Sequence, residues 1–425
     1  MGGYLQKKYW KENDSMKVLF VTNCSYPSSG TGTNIINKLL YDGNLFCKFD
    51  KIAVLCGKES PNEKNVDEIN GIEVFRTSSY TLFPKKMMGE LRKKNIFEYM
   101  HVIFEKALFH LEDKLLHNSF GDRFAVKAFY KKLREIDASS YDVIISMSGR
   151  YYPSIAVAKY CKRTKTPFIF YQVDPCGSSQ YLPEKSLQRR RQIEEEIYQA
   201  ADYVITTDLI HRDVTEYLSN QLCNKIVELE FPLISEQHLV IGNNKKNNKV
   251  ICVFSGSIYG GIRDPKYTLD MFRELYKEGI VELHFAGMNA EELNNAEFVK
   301  CHGVLPLDEA VKLNASADFL INIGNSVTNQ VPSKVFDYIS TGKPIINVCK
   351  NRNCPTIKYM ENYPFAINLY EDKNDFESQV DLLRTFIITN KGKTEQFSNI
   401  KEIFCECTPE YCADRLLFLI NRLEQ

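Results

Sequence analysis

Short apolar runs that alternate with helical segments constrain the fold of this chain more than any other sequence feature. The first half contains six of them: MKVLFVTN (16–23), KIAVLCG (51–57), GIEVFRT (71–77), YDVIISMSG (141–149), PFIFYQVDP (167–175) and ADYVITTD (201–208). Strands that are apolar along almost their whole length are typical of a parallel sheet with helices on both faces. The pattern therefore predicts an α/β unit.

The alternation stops at GNNKKNNK (242–249) and then starts again. That segment is polar, rich in Gly and Asn and without periodicity, as expected of a linker or an exposed loop. The strands predicted after it are VICVFSGS, VELHFAG, DFLINIG, KPIINVC and PFAINLY. We therefore expect two Rossmann-like, doubly wound units of about 200 residues each. They should face each other across a cleft at the carboxyl ends of their sheets.

The same pattern sets the expected domain boundaries. Residues 1–15 are a loose polar extension, 16–240 form the first unit, 241–404 the second, and 405–425 a C-terminal helix that crosses back to the first. A helical insertion at about 80–135 mixes aromatic residues with both signs of charge: Lys85, Lys86, Arg92, Lys93 and Lys94 against Glu90, Glu98 and Glu105. Packing on the first unit, contact with anionic lipid head groups and guidance of an acceptor all remain open for it.

Bulk composition excludes several classes of protein. Lys plus Arg and Asp plus Glu are both 54, so there is no general attraction to nucleic acid. The thirteen cysteines include no CxxC pair and lie mostly in apolar runs, which favours a reducing cytoplasm. No apolar run approaches the length of a membrane span, and the first residues lack the apolar core of a signal peptide. We expect a cytoplasmic protein, at most peripheral on the inner face of the membrane.

The segment NQVPSKVFDYISTGKPIINV (329–348) has the composition of an anion site. Pro332 and Ser333 stand where a helix begins, and the serine hydroxyl is able to cap free backbone N–H groups there. Lys334 follows in the first turn, where a helix without a ligand prefers an acid. Asp337 lies one turn later, within reach of sugar hydroxyls beside the anion. A capped helix with an incidental lysine is the alternative.

A second candidate element is FSGSIYGGIRDP (254–265), which follows the first strand after the linker. Gly256 lets the backbone approach a ligand closely, and the Ser257 hydroxyl can donate a hydrogen bond. The planar guanidinium of Arg263 is suited to clamping a diphosphate. The segment predicts phosphate chemistry at the same sheet edge as Lys334.

These segments, with LHFAG (283–287) and CHGVLP (301–306) between them, resemble the donor-binding half of the retaining GT-B glycosyltransferases, the family 4-like or group 1 enzymes that build bacterial cell-surface glycans. The PSK…(D/E)Y…GKP run is the most specific part, and the resemblance is strongest over about 250–350. It implies that Arg263 and Lys334 hold the diphosphate of a nucleotide-sugar donor and that Asp337 holds its ribose. It also implies that the backbone of the His302 loop, including Val304, contacts the base.

The chain departs from the family pattern at two places. The family carries two acids eight residues apart, and the corresponding residues here are Asn329 and Asp337, so the first acid is an amide. Where many members carry a histidine in the first unit, this chain has Val173, followed by Asp174. Asp174 and Asn329 are the candidate catalytic residues, and for Asp174 a loop-capping role before a proline is equally open.

The first unit has its own glycine-containing loop, SYPSSGTGTN (25–34). By the resemblance, Gly30, Thr31, Gly32 and Thr33 form the acceptor-side loop. The chain has no D-x-D clamp for a metal and diphosphate. Fixed positive charge would then neutralise the leaving group, and we expect no metal and no cofactor.

The resulting prediction is a hexosyltransferase that moves a sugar from a nucleotide-sugar donor to a glycan or lipid-linked glycan in bacterial surface polysaccharide synthesis. Retention of the anomeric configuration is implied by the resemblance alone. Two alternatives remain: a GT-B sugar-nucleotide epimerase or hydrolase, and a catalytically degenerate GT-B binding partner, which Asn329 and Val173 favour.

Overall fold

The computed structural model of the chain describes residues 16–27, 30–78, 85–116, 123–237, 249–258, 261–293 and 297–423. Two compact units are present. Unit 1 takes the described residues of Met1–Ser178, Pro183–Leu229 and Ala413–Gln425, and unit 2 takes those of Ser179–Leu182 and Glu230–Cys412. The sequence predicted a boundary between the two units at 240/241 and the start of the C-terminal crossing helix at 404/405. In the structure the corresponding unit boundaries fall at 229/230 and 412/413.

Unit 1 is built on a sheet of eight strands among its described residues. They are β1 (Lys17–Val21), β2 (Lys51–Gly57), β3 (Val66–Ile69), β4 (Ile72–Thr77), β5 (Val143–Ser148), β6 (Phe168–Gln172), β7 (Tyr203–Thr206) and β8 (Ile226–Glu228). The order across the sheet is β3-β4-β2-β1-β5-β6-β7-β8. All neighbours are parallel except β3 and β4, which form an antiparallel pair at one edge.

The helices of unit 1 are α1 (Thr31–Asn37), α2 (Lys85–Lys94), α3 (Ile96–Leu116), α4 (Arg123–Glu135), α5 (Tyr152–Thr164), α6 (Glu184–Ala200), α7 (Asp208–Val214) and α8 (Asn220–Cys223). Helix α1 continues as a π-helical turn, Lys38–Asp42. Helices α4, α5 and α6 share one buried apolar cluster with the central strands. The predicted insertion is therefore helical in its described part, and its last helix, α4, belongs to the main core.

Unit 2 is built on six parallel strands among its described residues. They are β9 (Val250–Ser255), β10 (Val281–Ala286), β11 (Val299–Cys301), β12 (Phe319–Ile323), β13 (Ile345–Cys349) and β14 (Ala366–Tyr370). The order is β11-β10-β9-β12-β13-β14. This is the doubly wound arrangement in which the winding direction reverses beside the first strand.

The helices that begin in unit 2 are α9 (Lys266–Lys277), α10 (Leu307–Ser316), α11 (Lys334–Ser340), α12 (Ile357–Met360), α13 (Phe376–Asn390), α14 (Phe397–Ile403) and α15 (Pro409–Leu423). The division between the two units falls inside α15. Shorter 3₁₀ turns cover Phe46–Lys48, Ala138–Ser140, Ala290–Leu293, Lys373–Asp375 and Cys405–Cys407.

Alternate residues of the central strands explain why helices cover both faces of this sheet. Cys252 and Phe254 of β9 pack into a cluster with α9 and α13. Val253, which points to the opposite face, packs into a second cluster with α11, α12 and α14. A strand buried on both faces is apolar at nearly every position, which is the pattern that the sequence shows.

The α/β prediction is confirmed, and each of the eleven apolar runs described above contains a strand. Three strands, β3, β8 and β11, come in addition. The 1–15 extension and most of the 242–249 linker lie outside the described residues, and the cleft stays a prediction. In the part of the chain that the structure describes, no helix is both long and apolar enough to cross a bilayer.

Candidate functional site

The carboxyl end of β9 is the place in unit 2 where a ligand is expected. Its neighbours on either side are β10 and β12, so the loops that follow β9 and β12 leave the sheet in opposite directions. Ligands of doubly wound folds bind in the crevice that this reversal opens. The two candidate segments of the sequence are these two loops together with α11.

Helix α11 is fastened to the end of β9 by Tyr338. The Tyr338 hydroxyl accepts a hydrogen bond from the backbone N–H of Ser255 at 2.9 Å and donates to the Ser255 carbonyl at 3.1 Å. Tyr338 is almost completely buried, and burial raises the pKa of its hydroxyl. The tyrosine therefore fixes where the neighbouring Asp337, and Lys334 one turn earlier, leave the helix.

Arg263 is fastened to the same strand end from the other loop. Its Nη1 donates to the Ser257 carbonyl at 3.1 Å, and its Nη2 donates to Oδ1 of Asn325 at 2.8 Å. Asn325 is buried in the loop after β12 and in turn donates to the Gln330 carbonyl at 3.4 Å. A cavity of about 630 Å³ lies beside the Arg263 side chain. The arginine thus bridges the two loops on which the crevice depends.

Gly256 and Gly287 bring the ends of β9 and β10 into close contact. A Cβ atom on Gly287 would lie 2.1 Å from the Gly256 carbonyl oxygen, and the φ of Gly287 is +134°, so only glycine fits there. The Gly287 N–H donates to the Gly303 carbonyl at 2.7 Å. The loops after β9, β10 and β11 therefore contact one another at this edge of the sheet.

Lys334 and Asp337 form an ion pair. Nζ of Lys334 lies 3.2 Å from Oδ2 of Asp337, and the two side chains are 39% and 38% exposed. Partial burial lowers the pKa of Lys334, but the Asp337 carboxylate and Tyr338 outweigh it, so the net pKa is raised. The lysine is a fixed cation in contact with solvent. The carboxylate beside it can accept hydrogen bonds from hydroxyl groups.

The start of α11 corrects one expectation. Ser333 occupies the N-cap position, but its hydroxyl makes no capping hydrogen bond, because its backbone is already helical, with φ of −57° and ψ of −27°. The first turn is closed instead by backbone bonds from Val335 and Phe336 to the carbonyls of Pro332 and Ser333. The predicted serine cap is therefore wrong. At the other end of the helix, Gly342 has a φ of +73°, a conformation that glycine commonly adopts just after a helix.

Asn329 and Pro332 are buried in the loop before α11, whereas Ser333 is exposed. Asn329 is only 2% exposed, so its amide belongs to the interior of the loop in this structure. A role at the transferred sugar stays a prediction for it. The same holds for Gly256, Ser257, Arg263, Lys334 and Asp337 as donor ligands.

The His302 loop carries an imidazole pair that the sequence reading did not anticipate. Nε2 of His302 lies 3.1 Å from Nδ1 of His284, whose Nε2 lies 2.8 Å from Oε1 of Glu282. Burial lowers the pKa of His302, and the neighbouring His284 and Lys300 act in the same direction. Its side chain is thus held by neighbours, while Val304 is 69% exposed. Backbone contact with a base stays the prediction for this loop.

In unit 1 the corresponding reversal lies between β1 and β5. Gly30 precedes α1 and Thr31, Gly32 and Thr33 form its first turn. A Cβ on Gly32 would lie 2.5 Å from Oγ1 of Thr22 and 2.7 Å from the Met147 carbonyl oxygen. Gly32 therefore allows α1 to start in contact with the ends of both strands, where the acceptor-side loop was expected.

Asp174 lies in the loop after β6 and is held through its backbone. Its carbonyl accepts from the Tyr151 hydroxyl at 2.5 Å and from Nε2 of Gln172 at 3.3 Å. Its Oδ2 lies 2.7 Å from where a Cβ on Gly149 would stand. The carboxylate is thus placed over the loop that follows β5, on the same side as Gly32, and Val173 before it is buried.

Glu194, a buried residue that was not predicted from the sequence, supports the loop after β6 through hydrogen bonds. Glu194 of α6 is fully buried and accepts hydrogen bonds from Gln172 Nε2 at 2.6 Å, the Gly177 N–H at 3.2 Å and the Tyr217 hydroxyl. Burial raises its pKa to about 7, against these hydrogen bonds. The run of charged residues in its segment, RRRQIEEEIYQA (189–200), suggests a solvated face when the sequence alone is considered. The signal for burial is the helical spacing of Arg190, Ile193, Glu194 and Ile197.

In unit 2, the positioning roles of Asn325 and Tyr338 were not predicted from the sequence. Asn325 gives no signal in the sequence beyond following a strand. Tyr338 is present in the quoted (D/E)Y motif, but its role as the anchor of α11 is visible only in three dimensions. Among the described residues, no group of three or more His, Cys, Asp or Glu is placed to hold a metal ion. Independence from metals stays a prediction.

Comparison with known proteins places this geometry in a known fold. No family model and no curated protein matches the chain. Among solved structures, the lipopolysaccharide outer core galactosyltransferase WaaB in its apo form is 13% identical, with a TM-score of 0.55 over 94% of this chain and 98% of its own. HepE of Anabaena in complex with UDP and glucose is 12% identical, with a TM-score of 0.59 over 96% and 99%.

Sucrose-phosphate synthase of Thermosynechococcus elongatus is 11% identical, with a TM-score of 0.64 over 96% of this chain and 99% of its own. The matched structures are GT-B glycosyltransferases. Similarity over nearly the full length of both chains shows that this chain has the GT-B fold. At identities this low the similarity carries the fold alone, and the activity is argued from the site.

Proposed function

We propose that this protein transfers a sugar from a nucleotide-sugar donor to a glycan or lipid-linked glycan acceptor during synthesis of a bacterial surface polysaccharide. One observation carries the proposal. Arg263 and helix α11 are both fastened to the end of β9, through Ser257 and Ser255, so two cations and a carboxylate are held at one sheet edge. Two cations suit the diphosphate of a nucleotide-sugar donor, and the carboxylate suits its ribose hydroxyls.

The chemical step breaks the bond between the anomeric carbon and the diphosphate oxygen and forms a bond from that carbon to the acceptor hydroxyl oxygen, whose proton passes to the leaving diphosphate. Negative charge develops on the diphosphate oxygen, and fixed cations already in position stabilise it without reorganisation. Arg263 and Lys334 supply these cations, with Arg263 presenting a planar fork and Lys334 a point charge. Asp337 raises the pKa of Lys334, and its carboxylate accepts hydrogen bonds from the ribose hydroxyls.

The remaining parts of the proposal concern the sugar and the acceptor. Asn329 binds hydroxyls of the transferred sugar, and Asp174 with the Gly30–Thr33 loop orients the acceptor hydroxyl. The resemblance supports a hexosyl donor, retention at the anomeric carbon and a reaction without a metal. The names of the similar structures, a galactosyltransferase and a protein solved with UDP and glucose, make UDP-hexoses the first donors to examine. We place the reaction in the cytoplasm, at the inner face of the membrane.

The test begins with a thermal-shift screen against UDP, GDP, dTDP, CMP and their common sugar conjugates. A ligand at 100 times its Kd adds about 2.7 kcal/mol of stability, so one nucleotide should raise the Tm of the wild type. Arg263→Ala and Lys334→Ala should lose that shift. Lys312→Ala is the matched control, because Lys312 is an exposed lysine of the same unit, paired with Asp308 on α10.

The outcome also separates the alternatives. Release of nucleoside diphosphate that depends on added acceptor supports the transferase. Free sugar or an epimerised donor formed without acceptor supports the epimerase or hydrolase. If no nucleotide stabilises the wild type, the donor-site hypothesis is refuted. The hypothesis of a catalytically degenerate binding partner, which the amide at Asn329 favours, is then the better one.

A further inference from the structure

Helix α3 exposes a continuous apolar face. Six large apolar side chains on this helix are exposed in the structure: Phe97 (85%), Phe104 (62%), Met100 (60%), Leu111 (54%), Ile96 (47%) and Ile103 (42%). Single exposed apolar residues need no explanation, but a contiguous group marks a surface that contacts something.

The six side chains share one side of the helix. With a rotation of about 100° per residue, they fall within an arc of about 120° centred on Met100. The opposite side holds α3 in place, because Val102 is fully buried and packs with Tyr99 against Met88 and Leu91 of α2. The exposed stripe is therefore the outer face of a helix whose inner face is already used.

Two acids of the helix, Glu98 and Glu105, lie away from the stripe. Glu98 and Glu105 stand about 140–160° from its centre by the same rotation. Glu105 is paired with His101 at 3.3 Å. An anionic surface in contact with the stripe would therefore not meet these carboxylates directly.

Basic residues are concentrated where the stripe begins. Helix α2 carries five bases and one acid in its ten residues, KKMMGELRKK. Its last turn contains Arg92, Lys93 and Lys94, all exposed, and α3 starts two residues later at Ile96. Cations at the edge of an apolar helix face are the combination with which proteins bind anionic lipid surfaces.

We propose that α2 and α3 dock this protein on a membrane surface rich in anionic lipids. The apolar stripe enters the boundary between head groups and acyl chains. The basic residues in the last turn of α2, Arg92, Lys93 and Lys94, contact lipid phosphates. A second copy of the chain fits less well, since lysine is depleted from protein interfaces. Docking of this kind would hold the enzyme beside a lipid-linked acceptor, but the proposal rests on α2 and α3 and not on the donor site.

The experiment is flotation of the full chain with vesicles, without nucleotide, so its result is independent of the donor site. Vesicles of pure phosphatidylcholine are compared with vesicles containing phosphatidylglycerol. The wild type should float with the anionic vesicles. The double variant Phe97→Ser/Phe104→Ser should reduce binding at least about tenfold, since each exposed ring contributes apolar area to insertion. Ile388→Ser, at a 66% exposed position on α13, is the matched control and should bind as the wild type.

The charge contribution has its own variant. Lys93→Ala should weaken binding to anionic vesicles about fivefold, by the loss of one lysine near the surface. Lys162→Ala, at an exposed position on α5, should not. The proposal is overturned if the wild type binds neither vesicle, or binds both equally with no effect of Lys93→Ala. It is also overturned if the wild type is a dimer that the double variant dissociates. Unchanged Tm of the variants excludes misfolding.

Discussion

Asp337 is the residue on which selectivity for a ribonucleotide over its 2′-deoxy form should depend. Its carboxylate pairs with Lys334 and remains accessible to solvent. In Asp337→Asn the lysine loses its partner and the ribose loses a charged acceptor, so we expect nucleotide binding to weaken about tenfold, in line with the loss of a hydrogen bond to a charged group. The wild type should prefer a ribonucleotide to its 2′-deoxy form, and the variant should lose most of that preference.

Calorimetric Kd values for both forms of the nucleotide test this. Asp308→Asn, on the exposed surface of α10, removes a carboxylate from a comparable ion pair in the same unit and should leave both Kd values unchanged. An equal loss of affinity for the ribonucleotide and the deoxynucleotide would show that Asp337 acts only through Lys334.

Glu194 should make the stability of the protein depend on pH. Burial raises its pKa from 4.5 to about 7, so the folded state holds the proton more tightly than the unfolded state does. The stabilisation is then complete below pH 4.5 and is lost as the pH rises to about 7. For this one group the change is on the order of 3 kcal/mol. Glu194→Gln, which cannot ionise, should gain stability relative to the wild type by up to that amount between pH 5 and pH 8.

Denaturant unfolding at several pH values measures the difference. Glu195→Gln is the control, because Glu195 is the exposed neighbour of Glu194 on the same helix. A Glu194→Gln curve parallel to that of the wild type across the range would mean that the carboxylate is ionised throughout, held by Tyr217, Gln172 and the Gly177 N–H.

Among the elements, the contact between the ends of β9 and β10 offers a sharp test. Gly287→Ala combines a φ of +134° with a Cβ 2.1 Å from the Gly256 carbonyl oxygen. Gly279→Ala has a positive φ of +76° but open space around the new Cβ. The second variant should lose about 1–2 kcal/mol from backbone strain alone. The first should lose more and should also weaken nucleotide binding, because the Gly256 loop must move.

Unfolding free energies and Kd values of the two variants separate strain from displacement. Equal destabilisation with equal affinity would show that the β9 and β10 loops can separate without cost, and that their register does not shape the site.

The sequence predicted the elements of the sheets better than their edges. Apolar runs identify the central strands because burial on both faces demands them. The edge strand β3 has the sequence VDEI, with two adjacent acids at its centre, which a search for continuous apolar runs passes over. Its turn carried a signal nevertheless: Asn70 and Gly71 both have positive φ, as a two-residue hairpin requires.

The site was predictable in the residues that carry charge and less so in those that hold them. Lys334 and Arg263 are visible because a cation at a helix start or a glycine-rich loop needs an explanation. Tyr338, Asn325 and Glu194 act through contacts with residues distant in the chain, such as Ser255, Arg263 and Gly177. No local pattern encodes those contacts.

For the whole molecule, the GT-B fold and the separate cores predict a local response to the nucleotide. Unit 2 has its own apolar clusters around β9 and β12, and the candidate donor residues lie within it. Hydrogen exchange with saturating nucleotide should slow at the amides after β9 and at those between Gly324 and Lys334. Amides of Gly30–Thr33 in unit 1 should be unchanged without an acceptor. Protection confined to unit 1 would contradict the assignment of the donor site.

The division of the chain inside α15 affects how the protein is made. Unit 1 includes the end of that helix, where Leu416, Leu417, Leu419 and Ile420 are buried. A ribosome completes residue 229 and must then add all of the residues up to 413 before this last piece appears. At about 5–20 residues per second this takes roughly ten to forty seconds. Throughout that interval the nascent chain carries a first unit that cannot yet be complete, so the final folding step of this unit waits until α15 has been synthesised.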